Sequence, residues 1–186
     1  MAGAAPRLPR RYERVALRNR LSVIAETVQE FNLAANEKYL EGQNLVVQGD
    51  IGAGIYLLGY AAEMLLKNAY FRFTGAALAD EIGPRLAPAR SVGRGQQVAG
   101  LIPHIPHESY HSLRFWAMLL QASRLVQSRP WPDTEFALKF ERCTESLYNN
   151  WWVEMRYRCD LASPKEALQV LNDVAWLRTY QTTLWS

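Results

Sequence analysis

Residues 51 to 73, IGAGIYLLGYAAEMLLKNAYFRF, are apolar on nearly every side of a helix, which only burial on several sides can accommodate. A membrane span is not expected, because the run Ile51–Ala62 ends at Glu63, short of the ~20 apolar residues that crossing requires. The segment therefore reads as the central helix of a water-soluble core. Its polar exceptions become the residues of interest. Glu63 and Lys67 stand four apart with the acid first, so they can pair along one face. Gly52 and Gly59 fall on the same side and permit close approach of another backbone.

Upstream, Leu21, Ile24, Val28, Phe31 and Ala35 recur at helical spacing, and Tyr39 and Leu45 continue the stripe. This predicts one long helix, or two nearly collinear ones, from about 18 to 47. Gln48-Gly49-Asp50 then breaks it, with glycine suited to C′ and aspartate to an N-cap. So short a connection forces an antiparallel helical hairpin.

Residues 74–107 hold five glycines and four prolines and read mostly as a long loop, with at most a short helix around Ala79 to Leu86. Leu113, Trp116, Ala117 and Leu120 mark a helix over about 107–127. Phe136, Phe140, Cys143 and Leu147 form the buried stripe of the next. Ser163-Pro164-Lys165-Glu166 is a capping box with proline in the first turn, and it starts the last helix. No alternating run of β-branched residues occurs, so the class is all-α.

With 186 residues, 49% of them hydrophobic, the chain is long enough for a single domain with a proper core. We divide it into a basic arm at 1–17 and a helical domain at 18–186. In the first twenty residues Arg7, Arg10, Arg11, Arg14, Arg18 and Arg20 face only Glu13, which suits nucleic acid or an acidic partner, or simply a solvated terminus. Cys143 and Cys159 show no pairing pattern, and the N-terminus lacks a signal-peptide core; both point to the cytoplasm.

His107-Glu108-Ser109-Tyr110-His111 matches H-E-x-x-H, in which two imidazoles on one helical face hold zinc and the glutamate activates water. Pro103 and Pro106 place it at a helix start, and the following SLRFW supplies no third ligand. A zinc hydrolase is therefore a remote alternative, and neither a metal nor a cofactor is expected. Gly52-Ala53-Gly54 lacks the third glycine of a dinucleotide fingerprint. There is no P-loop and no G-x-S-x-G elbow.

Three segments together resemble the HEPN superfamily of helical prokaryotic proteins. They are IYLLGYAAEMLLKNAY with Glu63 and Lys67, YHSLRFWAMLL with His111 and Leu113, and WWVEMRY with Trp152, Glu154, Arg156 and Tyr157. The likeness covers roughly residues 31 to 182. It implies an all-α, antiparallel up-and-down bundle of four to five helices that forms a symmetric dimer and works in toxin–antitoxin or defence systems. A nucleotidyltransferase-type or antitoxin protein would be its partner, and RNA or a nucleotide its ligand.

Ribonuclease members of that family carry an arginine followed after four to six residues by histidine, one group steadying phosphate and the other moving a proton. Here YRCDLASPK follows Arg156 and CDLASPKEA follows Arg158, without histidine. The reading is thus a HEPN-like binding or assembly domain without that active site. The alternative is a divergent ribonuclease or nucleotide-directed enzyme. The polar residues that would line a ligand site, or merely pair with one another, are Glu63, Lys67, His111, Glu154, Arg156 and Arg158.

Overall fold

The computed structural model describes residues 26–104, 111–153 and 162–186. These form seven helices: α1 (Val28–Gln48), α2 (Ile51–Phe73), α3 (Gly83–Val98), α4 (Leu113–Val126), α5 (Thr134–Asn150), α6 (Pro164–Thr179) and α7 (Gln181–Trp185). No strand occurs among the described residues; Thr27 and Glu81 make one isolated antiparallel bridge. The protein is an all-helical bundle. Among the described residues, no helix is long and apolar enough to cross a membrane.

α1 begins at Val28, and the part of the expected 18–47 helical stretch before residue 26 lies outside the described residues. Thr27 is extended, accepts from the Glu30 backbone N–H through its hydroxyl, and receives the Glu30 carboxylate on its own N–H at 2.9 Å. This capping box fixes the start of α1 by satisfying two backbone donors there. Leu21, Ile24 and the basic arm lie outside the described residues.

At the other end Gly49 takes φ 87°, and the Gly49 and Asp50 N–H groups bond Val46 and Leu45 carbonyls, closing α1 as expected. Asp50 precedes α2 without making a side-chain cap. The hairpin is tight because two glycines meet. A Cβ at Gly42 would lie 3.0 Å from the Gly54 carbonyl, and one at Gly54 would lie 3.0 Å from the Gly42 carbonyl. Backbone thus packs on backbone.

α2 occupies the centre, packed against α1, α4, α6 and α7. Ile55, Leu58, Leu65, Leu66 and Phe71 are essentially inaccessible to solvent. Each such side chain contributes roughly 1.5–3 kcal/mol of burial free energy. Phe140, Cys143 and Leu147 of α5 are buried as their spacing requires. α5 itself is capped by Asp133, whose carboxylate accepts from Phe136 N at 2.7 Å. α6 begins at the Ser163–Glu166 capping box.

Two expectations fail. Much of the supposed loop at 74–107 is the 16-residue helix α3, despite Pro88 inside it and Gly93 and Gly95 near its end. Gly93 is there because the Phe115 ring would sit 2.5 Å from any Cβ at that position. α4 begins at Leu113 rather than near 107, since Ser112 caps it by accepting from Phe115 N at 3.2 Å.

Candidate functional site

Glu63 lies midway along α2 and Lys67 one turn later, both facing inward. The Lys67 ammonium donates to Glu63 Oε1 and sits under aromatic rings, 5.4 Å from the Trp116 centroid and 6.0 Å from that of Phe31. Rings of this kind favour a cation through their quadrupole, and here they also exclude water. A buried ion pair is costly to desolvate and holds only where further contacts complete it. His111 completes this one.

The Ser112 cap places His111 just ahead of α4, directly over Glu63. Its Nδ1 lies 3.0 Å from Glu63 Oε2 and 3.2 Å from Oε1. A carboxylate paired with an ammonium only accepts, so Nδ1 carries the hydrogen and donates it. The tautomer and the ring orientation are thereby fixed. The exposures separate the roles: the Glu63 side chain is 4% accessible and that of Lys67 7%, whereas His111 is 48% accessible. One carboxylate therefore joins a sealed cation to a surface imidazole.

Aromatic residues surround this centre. Tyr60 stands edge-on to His111 at 6.2 Å and to Trp151 at 5.5 Å, and its hydroxyl lies 3.2 Å from that of Tyr56. Trp151 rests on Gly59 and donates from Nε1 to the Tyr56 carbonyl at 3.1 Å. Gly59 thus does admit a close neighbour, but the neighbour is an indole and not a backbone. Chemically, the arrangement suits two tasks: fastening the start of α4 to the core, or presenting an imidazole of defined tautomer at the surface.

The structure brings Glu63, Lys67 and His111 together. Glu154, Arg156 and Arg158 lie outside the described residues, as do His107 and Glu108 of the H-E-x-x-H match. Among the described residues no group of three or more histidine, cysteine or acidic side chains is placed to hold a metal ion. A concavity of about 180 Å³ between α4 and α5, lined by Arg114, Met118, Gln121, Glu141, Glu145 and Tyr148, was not foreseen from the sequence. Arg114 lies over the Tyr148 ring at 5.5 Å, and Tyr148 in turn meets the half-exposed Trp152 at 5.4 Å. The only sequence signal was helical spacing, which alone does not tell a cleft from a solvated face. Comparison with family models, curated proteins and solved structures gives no match to this chain.

Proposed function

We propose that this chain is a HEPN-like helical binding and assembly domain of a prokaryotic toxin–antitoxin or defence-type system, acting as a homodimer. In this reading the domain does not carry out catalysis, and a nucleotidyltransferase-type or antitoxin protein is its partner. The observation that carries the non-catalytic part is the pairing of Glu63. Inside one subunit Lys67 matches its charge and His111 donates to it from Nδ1, so the most conspicuous polar group of the central helix is occupied in holding α2 to the start of α4. The missing histidine after Arg156 and Arg158 supports the same reading.

Incubation of the purified chain with a fluorescent single-stranded RNA, alongside light scattering, tests both parts. A dimer that leaves the RNA intact is expected. A monomer at micromolar concentration removes the assembly part. Cleavage that disappears in both His111→Ala and Glu63→Gln removes the non-catalytic part and favours the second reading, a divergent ribonuclease. The second reading has one observation in its favour: Nδ1 of the surface imidazole is held by a buried carboxylate, the arrangement that orients a general base.

A further inference from the structure

The cleft between α4 and α5 holds charges that the bundle itself does not use. The short connection at 127–133 turns α5 back along α4, so Arg114, at the start of one helix, meets Tyr148, near the end of the other. Arg114 and Gln121 both line the cleft and stand seven residues apart, so it extends about 10 Å along α4. Its volume of about 180 Å³ is below the roughly 300–1,000 Å³ of pockets for drug-sized ligands, so it suits a smaller molecule.

Three of the lining side chains are charged: Arg114 on α4, and Glu141 and Glu145 on α5. All three are exposed, and among the described residues none of them forms an ion pair. The walls between them make no polar demand of their own. Ala117 is buried and Met118 half-buried, and the Thr144 hydroxyl already donates to the Phe140 and Glu141 carbonyls. Arg114 lies over the Tyr148 ring at 5.5 Å, and Trp152 backs that ring at 5.4 Å. The ring attracts the guanidinium through its quadrupole and leaves the N–H fork for a carboxylate.

The charge pattern selects the ligand. One guanidinium and two carboxylates are matched by one carboxylate and two cations. Glu141 and Glu145 are one helical turn apart, about 6 Å along α5, with Glu145 nearer the Arg114 end. A phosphate would meet two repelling carboxylates, and a plain diamine would leave Arg114 unpaired. A basic amino acid carries the complementary set, its two ammonium groups separated by a methylene stem.

We propose that the α4–α5 cleft binds a free basic amino acid of the lysine or ornithine type. Arg114 takes the α-carboxylate, Glu145 the α-ammonium and Glu141 the side-chain ammonium, while the methylenes lie on Ala117 and Met118. This goes beyond the proposed function and stands without it.

The test is calorimetric titration of the full chain with L-lysine, with spectra of methyl-labelled methionine in which Met118→Leu identifies the Met118 signal. Saturable binding that shifts this signal is expected. Cadaverine lacks the carboxylate, norleucine the side-chain ammonium and Nα-acetyl-lysine the α-ammonium; each is expected to bind about tenfold more weakly, or worse. Glu141→Gln is expected to remove the preference for lysine over norleucine, and Arg114→Gln the preference over cadaverine. Both residues are exposed, so the variants keep the fold, which circular dichroism checks. Absence of saturable binding at millimolar lysine, binding that leaves the Met118 signal in place, or equal binding of any of the three analogues overturns the proposal. Equal binding of Nα-acetyl-lysine would assign the cleft to the C-terminal residue of a peptide instead.

Discussion

The indole of Trp151 occupies the space that a side chain at Gly59 would need: a Cβ there would fall 2.0 Å from the ring. Glycine at this position is consequently a packing requirement of the contact between α2 and the end of α5. Gly59→Ala must push the indole outward and break its 3.1 Å bond to the Tyr56 carbonyl. Overpacking of this kind costs about 1–3 kcal/mol. Denaturant unfolding is expected to show that loss, with a change in tryptophan fluorescence of the folded state. Unchanged fluorescence and stability would contradict the contact.

Glu63 has two partners of unequal weight. Lys67→Ala leaves a buried carboxylate with only His111, and breaking a buried pair in this way costs about 3–5 kcal/mol. His111 is half exposed, so His111→Ala is expected to cost about 1 kcal/mol or less. Replacing both charges together, Glu63→Leu with Lys67→Met, removes the desolvation penalty along with the attraction and is expected to cost less than Lys67→Ala alone. Urea titrations of the three variants check the order. If His111→Ala were the most damaging, the assignment of Lys67 as the main partner would be wrong.

What was legible in the sequence followed from local rules. The hairpin turn at Gly49 and the capping box at Ser163 act within a few residues, and both are where spacing places them. The closeness of Glu63 and Lys67 is likewise a matter of one helical turn. The contact of His111 with Glu63 is different, since 48 residues separate them and only tertiary packing brings α4 over α2. Gly42 and Gly54 were overlooked for the same reason, as either glycine alone carries no sign of the other. α3 was missed because its Pro88, Gly93 and Gly95 are poor helix formers, outweighed by packing against Phe115. The start of α4 shifted because a serine cap, at Ser112, overrode the expected earlier start.

Both capping boxes make stability depend on acid. Glu30 is held below its ordinary value of 4.5 by bonds from Thr27, to the backbone first and the hydroxyl second. Glu166 is lowered in the same way by Ser163. A carboxylate depressed in the folded state stabilises it above the unfolded value and ceases to do so as pH falls through the folded one. The stability difference between the natural chain and Glu30→Ala/Glu166→Ala is therefore expected to be constant near neutrality and to shrink below about pH 4.5. A difference that stayed constant to pH 3 would show that ionisation of the two caps contributes nothing.

Cys143 offers a probe of the core. Its thiol is buried and donates to the Asp173 carbonyl at 3.1 Å. Burial pushes its pKa up strongly, the negative charge of Asp173 adds to the rise, and Lys139 opposes it only in part. The reactive species is the thiolate, so the folded protein suppresses reaction twice, by access and by ionisation. In a Cys159→Ser chain, labelling of Cys143 by an aromatic disulfide at pH 8 is expected to proceed only through opening of the α5–α6 contact. Its rate should therefore fall when stability rises and climb in parallel with the unfolding constant as urea is added. Rapid labelling without denaturant, at the rate of a free thiol, would place Cys143 outside the core and overturn the packing of α5 on α6.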